Sequence, residues 1–106
     1  MASGTISRPY TPQIMVVQYT ATYSVTANGN QTVPLSDFKD ENNQTFSPPT
    51  GYSRLGIMRC TSGDANVVMR GYDIWNAGGG IYFTNLASSA ANNKTASLYI
   101  SWIRNA

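Results

Sequence analysis

The sequence contains no histidine and only one cysteine among its 106 residues. Without histidine, the chain lacks the commonest general base, the commonest metal-binding nitrogen and any serine–histidine pair. A single cysteine, Cys60, permits no disulfide within the chain, and one thiol without histidine cannot build a structural zinc site. Because Cys60 ends the apolar run LGIMRC, we expect a buried, unreactive thiol rather than a nucleophile.

Charged side chains are scarce as well, at 11% of the residues, whereas an average globular protein has about a quarter. The net charge of +2 comes from seven basic and five acidic residues, and no two basic residues are adjacent. Such a spread forms no stripe that could neutralise several phosphates, so we expect no nucleic-acid partner. Asn, Gln, Ser and Thr supply the polarity instead, as 36 of the 106 residues. This composition favours a β-rich extracellular or particle-bound protein over a cytosolic enzyme.

Long apolar runs are also missing. No segment approaches the ~18 apolar residues of a membrane-spanning helix, so we expect no membrane insertion. The first ten residues, MASGTISRPY, are neither apolar nor basic enough for a secretory signal peptide. If the protein acts outside a cell, we expect it to arrive there as part of a larger assembly.

What the sequence does contain is a series of strand patterns separated by turn residues. In residues 13–26, Tyr19, Ala21, Tyr23 and Val25 alternate with polar residues, which is the period-2 pattern of a half-buried strand. Further strands are predicted over 31–35, over 53–61 with 67–76 as its partner across a turn at 62–66, over 81–87 and over 96–104. The intervening segments are predicted to be a long polar connection over 36–52, a break at 77–80 and a turn over 88–95.

Six or seven strands at about ten-residue spacing predict an all-β fold, an antiparallel β-sandwich or jelly roll. Residues 1–12 contain Gly4, Pro9 and Pro12 and are predicted to be a connecting arm. Residues 13–106 are predicted to form a single β-sandwich head domain, since 106 residues suit one core.

Three of the predicted strands are apolar on both faces. The pattern appears at 14–17, at 55–58 and again at 98–103, where Tyr99 and Ile103 alternate with three core-type residues. A two-sheet sandwich gives each sheet one core face, so the second apolar face needs another cover. We therefore expect self-association through Ile14, Val16, Tyr99 and Ile103. The alternative is that these residues are simply exposed, as single surface apolar residues often are.

Catalytic chemistry has little support in this sequence. A glycoside hydrolase needs two carboxylates about 5–10 Å apart, which Asp64 with Asp73 or Asp37 with Glu41 could supply in principle. Asp64, however, stands in SGDAN, where Asp is an ordinary turn residue. The three glycines at 78–80 lack the helix and lysine of a phosphate loop, and DENNQ lacks the spacing of a calcium loop. We predict no catalytic residue, no metal and no cofactor.

The aromatic residues give the one functional signal. Flat aromatic rings flanked by amide, carboxylate and guanidinium groups are how proteins hold sugar rings. The segment RGYDIWNAGGG has this composition beside a flexible loop. Its candidate ligand-binding residues, with one from the next strand, are Tyr72, Asp73, Trp75, Asn76 and Tyr82. The alternative is that these aromatics belong to the core or to an interface, as most tryptophans do.

Three segments in this order and spacing carry a family resemblance. They are SVTANGNQTVPLSDF (24–38), PTGYSRLGIMRCTSGDANVVMRGYDI (49–74) and SSAANNKTASLYISWIRN (88–105). The succession resembles the small C-terminal head domain of tail-fibre and tail-spike-like proteins from phages and prophages of Gram-positive gut bacteria. It covers nearly the whole chain, from about residue 19 to 105. The chain differs from a full fibre in having no long repetitive shaft.

The resemblance implies a β-sandwich head that assembles as a homotrimer at a fibre tip or on a virion surface, outside the cell. Its expected function is to bind a bacterial surface polysaccharide without catalysis, with other virion or fibre proteins attached through residues 1–12. One alternative is a structural virion protein, a decoration, collar or trimerisation module without a ligand of its own. A second alternative is a small glycan-active hydrolase. The resemblance transfers no binding residue.

Overall fold

The computed structural model describes residues 13–105, and within them every regular element except one short turn is a β-strand. None of these residues belongs to a helix that is long and apolar enough to cross a membrane. The elements are β1 (Ile14–Val25), β2 (Asn30–Pro34), a 3-10 turn (Leu35–Asp37), β3 (Tyr52–Thr61), β4 (Val67–Tyr72), β5 (Gly80–Asn85) and β6 (Ala91–Arg104). The all-β prediction is therefore confirmed. The predicted arm over 1–12 lies outside the described residues.

The strands form two antiparallel sheets of three, consistent with a β-sandwich. The first sheet has the order β1-β6-β3, and the second has the order β2-β5-β4. One cluster of buried apolar side chains joins them, and the rings of Tyr23 and Phe83 stack across the two sheets with their centroids 5.0 Å apart. Burial of this shared face provides the main driving force for folding.

Period-2 alternation in β1 and β6 produces the core face of the first sheet. Tyr19 and Val25 in β1 are buried, whereas the alternate residues Thr20 and Ser24 are exposed. Directly across the register, Tyr19 pairs with Leu98, one of several fully buried residues of β6. Successive side chains of a strand point to opposite faces, so the pattern in the sequence placed these residues correctly.

The predicted pairing across 62–66 is wrong. β3 pairs with β6 in the first sheet, whereas β4 pairs with β5 in the second, so the segment between β3 and β4 crosses from one sheet to the other. Gly63 has φ +77°, and the Asp64 side chain accepts a hydrogen bond from the Asn66 N–H, as turn residues do. The turn residues reverse the direction of the chain, but they do not determine which strand the next segment pairs with.

Two strand boundaries also differ from the prediction. β4 ends at Tyr72 rather than at 76, and β6 begins at Ala91 rather than at 96. The residues after β4 form the hairpin loop 73–79 to β5. The Asp73 N–H still donates to the Gly80 carbonyl, whereas the Asp73 side chain accepts the Trp75 N–H within the loop. Gly79 is needed there, since a Cβ on it would stand 2.2 Å from the Asp73 carbonyl oxygen.

The three strands with apolar residues on both faces are the three neighbours of the first sheet. Ile14 lies opposite Ile103, and Gln18 lies opposite Tyr99. The outer face of this sheet therefore carries apolar residues with polar ones between them, and its larger exposed apolar residues are Ile14, Val16, Leu55 and Met58. We call these four residues, together with Tyr99 and Ile103, the apolar outer face.

Candidate functional site

A cavity opens between the sheets where β2 and β4 end and β3 begins. Its volume is about 420 Å³, within the range of small-molecule sites. Side chains from the 3-10 turn, the connection over 38–51, β3 and the loop 73–79 surround it. We call it the aromatic cavity; its lining residues are Leu35, Ser36, Thr45, Phe46, Arg54, Ile74, Trp75, Asn76 and Ala77.

Trp75 presents its indole to solvent at this cavity, with 57% of the residue's surface exposed. The loop holds it there through Asp73, whose Oδ1 accepts the backbone N–H groups of Trp75 and Asn76 at 2.9 and 3.3 Å. The other oxygen, Oδ2, accepts the Asn76 side-chain amide at 3.0 Å. The hydrogen bond from the Asn76 side chain and those from the Trp75 and Asn76 backbone N–H groups lower the pKa of the Asp73 carboxyl. The carboxyl is therefore ionised at neutral pH and holds the loop in place.

Arg54 forms the charged wall of the aromatic cavity. It stands on the core-facing side of β3, opposite Trp102 of β6. Its guanidinium carbon lies 5.0 Å from the Phe46 ring centroid, 5.3 Å from the Trp75 ring and 5.8 Å from the Trp102 ring. Contacts of this length are cation–π contacts, and three rings restrict the orientation of the guanidinium plane.

Phe46 connects the cavity to the core. Its ring centroid lies 5.3 Å from that of Tyr19 and 5.6 Å from that of Trp102, both in tilted arrangements. Phe46 is only half-buried, whereas both partners are buried. Phe46 is thus a second aromatic anchor of the connection over 38–51, after the fully buried Phe38, and it also forms part of the cavity lining.

The structure brings only part of the predicted ligand set together. Trp75 and Asn76 line the aromatic cavity, and Asp73 holds their loop. Tyr72 is exposed at the end of β4 and does not line the cavity. Tyr82 is half-buried on the outer side of the second sheet, with the Arg70 guanidinium over its ring at 5.6 Å. The ligand-binding role of all five residues remains a prediction.

Sequence reasoning missed Phe46 and Arg54. Phe46 is the one aromatic residue in the polar stretch 39–51, and Arg54 is one of two charged residues in a largely apolar strand. Each was a visible exception to its surroundings, and such exceptions point to a contact outside the local element. Their meeting with Trp75 depends on three segments that are distant in sequence, so no local pattern could predict it.

A second cavity of about 570 Å³ lies along the edge of β1. Its wall includes Gln18, Thr20, Lys39, Asp40 and Glu41, without an aromatic ring from the described residues. Thr20 and Lys39 exchange both backbone hydrogen bonds, at 2.9 and 3.0 Å, so this segment covers part of the β1 edge. Nowhere in the described chain do three cysteine, aspartate or glutamate side chains converge in a way that could hold a metal ion.

The residues predicted to form an interface all belong to the apolar outer face. Ile14 and Val16 are each 43% exposed. Tyr99 and Ile103 are half-buried, and the Arg59 guanidinium lies over the Tyr99 ring at 5.7 Å. The two residues of β6 are therefore partly covered within the chain and partly exposed. The interface itself remains a prediction.

Neither the Cys60 thiol nor the Asp64 carboxylate is in the protonation state that a nucleophile or a general acid needs at neutral pH. Cys60 packs against the core, and burial raises the pKa of its thiol to about 11. This agrees with the expected unreactive thiol. Asp64 forms an ion pair with Lys94 at 3.3 Å, and the Asn66 N–H and Lys94 lower the pKa of its carboxyl.

No family model, curated protein or solved structure matches this chain. Any functional conclusion therefore rests on the geometry described above and on the resemblance of the three sequence segments.

Proposed function

We propose that this protein is a non-catalytic module of a phage virion surface or tail-fibre tip that binds a bacterial surface glycan as a homotrimer. The observation that carries the glycan part is the exposed indole of Trp75 at the mouth of the aromatic cavity. An exposed indole beside a cavity provides a flat face on which sugar rings can stack through their C–H groups. Ser36, Thr45 and Asn76 around it supply directional hydrogen-bonding groups.

The state of the acidic residues supports binding over hydrolysis. No carboxylate from residues 13–105 lines the aromatic cavity. Asp64 and Asp73 are one of the two candidate acid pairs. Asp73 accepts hydrogen bonds and Asp64 forms an ion pair, and these interactions keep both carboxylates ionised. A general acid would need a raised pKa, and the pKa values of both carboxyls are lowered. The hydrolase alternative therefore has no site in this cavity.

The assembly part of the proposal is a homotrimer formed through the apolar outer face. The occupant is a second copy of the chain, because among the outward residues of β1, β6 and β3 the one charged side chain is Arg59, whose guanidinium lies over Tyr99. Lys39, Asp40 and Glu41 stand only at the β1 edge of the face, beside Val16. A nearly uncharged face offers nothing to a charged partner and causes little repulsion between copies. Three weak sites in one rigid head would gain affinity through effective concentration.

Two further features belong to the same proposal. Jelly-roll connectivity is supported by the first three strands, which alternate between the sheets. Attachment to other virion or fibre proteins would run through residues 1–12, which directly precede β1 at the edge of the first sheet. The extracellular location follows from the virion assignment.

The test is a comparison of two exposed aromatic residues at the same end of the second sheet. Trp75→Ala should weaken binding to an array of bacterial surface polysaccharides at least about tenfold, because a stacked aromatic ring contributes one to a few kcal/mol. Tyr72→Ala is the control, since Tyr72 is 48% exposed but does not line the cavity. Equal binding by both variants and the wild type would place the glycan site elsewhere, and a wild type that binds nothing would contradict the proposal.

The apolar outer face also supports a second candidate function, that of a structural virion protein without a ligand. The apolar outer face would serve any decoration, collar or trimerisation module equally well. Such a protein would form the trimer and bind no polysaccharide on the same array. The two functions therefore differ in the array result and not in the oligomeric state.

A further inference from the structure

Arg54 is a half-buried cation that has no anionic partner within residues 13–105. In that part of the chain the one ion pair with a nitrogen–oxygen distance below 4 Å joins Lys94 and Asp64. The Arg54 Nε is shielded from solvent and has no hydrogen-bond partner among the same residues. Removing a guanidinium nitrogen from water without replacing its hydrogen bond is costly, and aromatic rings return only part of that cost.

Asp73 stands near Arg54 but forms no ion pair with it. The two side chains are close enough that the Arg54 charge contributes to the lowered pKa of the Asp73 carboxyl. Both carboxylate oxygens, however, already accept hydrogen bonds from the Trp75 and Asn76 N–H groups and from the Asn76 side-chain amide. They lie beyond ion-pair distance from the guanidinium. The Asp73 carboxylate holds the loop 73–79 through these hydrogen bonds.

The surroundings of the aromatic cavity reinforce its positive character. Arg54 is the single charged residue among the described residues that line it. The Lys39 ammonium donates a hydrogen bond to the carbonyl of Ser36, a lining residue, at 2.9 Å. A planar guanidinium held between rings presents its free N–H groups in a fixed direction, which suits the two oxygens of a carboxylate or phosphate.

We infer that the ligand of the aromatic cavity is an anionic saccharide, whose ring stacks on Trp75 while its carboxylate or phosphate pairs with Arg54. This inference rests on the proposed glycan-binding function and specifies the chemical class of the ligand. Uronic acids and phosphate-substituted glycans share the required chemistry: a pyranose face beside a negatively charged group. Because the guanidinium carbon lies over one face of the indole, 5.3 Å from its centroid, the sugar would stack on the other face of the exposed ring and its charged group would reach Arg54 past the ring edge.

The experiment compares charged polysaccharides with their neutralised forms. An array carries acidic bacterial polysaccharides in native form, after reduction of their carboxyl groups, and after removal of their phosphate groups, beside neutral polysaccharides. The full chain should bind native acidic members and lose about tenfold or more in affinity after one of the two treatments, since hydrogen bonds to charged groups are the strong ones. The treatment that abolishes binding identifies the source of the charge.

Arg54→Gln should reduce binding to the best acidic member by about tenfold or more and leave the remaining affinity insensitive to added salt. Arg54→Lys, which keeps the charge but loses the planar fork, should fall between this variant and the wild type. Arg70→Gln is the matched control, because Arg70 also covers an aromatic ring, that of Tyr82, but lies outside both the aromatic cavity and the apolar outer face. It should bind as the wild type does.

Each outcome separates the inference from the function on which it rests. Equal affinity for native and neutralised forms, or for neutral polysaccharides, would retain glycan binding and overturn the anionic class. Undiminished binding by a folded Arg54→Gln variant would overturn the role of Arg54. Binding to no member of the array would overturn both. If Arg54→Gln does not fold, the comparison of native with neutralised glycans on the wild type still decides the question.

Discussion

Two tryptophans show how differently the same residue type is used in this chain. Trp102 is fully buried in the middle strand of the first sheet, whereas Trp75 stands 57% exposed in a loop. Both rings lie against the Arg54 guanidinium, Trp102 from the buried core and Trp75 from the exposed loop. Alternation in the last strand predicted the core position of Trp102, and that prediction is confirmed. The sequence places Trp75 beside a loop without deciding its exposure, because burial there depends on which distant segments meet around the ring.

Trp102→Ala should destabilise the protein by about 3–5 kcal/mol, because it removes a large buried side chain and leaves a cavity. The melting temperature should fall by at least about 10 °C, given the steep dependence expected for a domain of this size. Trp75→Ala provides the control and should change it by only a few degrees, since an exposed ring contributes little to the core. Differential scanning calorimetry measures both, and equal shifts would contradict the assignment of Trp102 to the core.

At the scale of elements, the middle strands of the two sheets are built alike but face different surroundings. β6 carries Tyr99 on its outer side with Arg59 over the ring, and β5 carries Tyr82 on its outer side with Arg70 over the ring. Around Tyr99 the neighbouring strands add the other members of the apolar outer face. Around Tyr82 the directly paired residues are Thr32 and Gly71. The two sheets therefore differ in the residues that surround the outward tyrosine of the middle strand.

Tyr99→Asp should abolish self-association, because it introduces a desolvated charge into the proposed contact between copies. Tyr82→Asp is its matched control: the same substitution, at a half-buried tyrosine under an arginine, on the other sheet. Both variants should lose similar thermal stability, and only Tyr99→Asp should elute as a monomer in size-exclusion chromatography. Assembly of Tyr99→Asp like the wild type would count against the apolar outer face as the interface.

At the scale of the whole molecule, a single core leaves one sheet incompletely covered. The buried apolar side chains of both sheets form one cluster between them. That cluster accounts for one face of each sheet, and the outer side of the first sheet keeps four large apolar residues at 43–66% exposure. Scattered apolar residues are normal on protein surfaces, but these four lie on β1 and β3, on either side of Tyr99 and Ile103 of β6, and they are the basis of the proposed interaction surface.

Light scattering coupled to size exclusion should give a mass three times the 11.5 kDa of the chain. The mass should hold over a wide range of protein concentration, because a broad apolar contact of this kind suits a permanent assembly. A dimer would retain the interface and contradict the threefold arrangement. A monomer at all concentrations would contradict self-association and weaken the virion assignment.

The sequence by itself determined the class of the fold and its core, because period-2 alternation and burial are local properties of each strand. Tyr19, Tyr23, Leu98 and Trp102 could be assigned to the core from that pattern alone. It also identified the doubly apolar strands, which the structure then placed side by side in one sheet.

Only the tertiary structure decided the pairing of strands and the composition of the site. The turn at 62–66 specifies a reversal but carries no information about the receiving sheet, so β3 and β4 were wrongly paired. The aromatic cavity joins Phe46, Arg54 and Trp75 from three separate segments. Its charge depends on the absence of an ion-pair partner for Arg54 within the described chain, a property of three-dimensional neighbours that residue order does not encode.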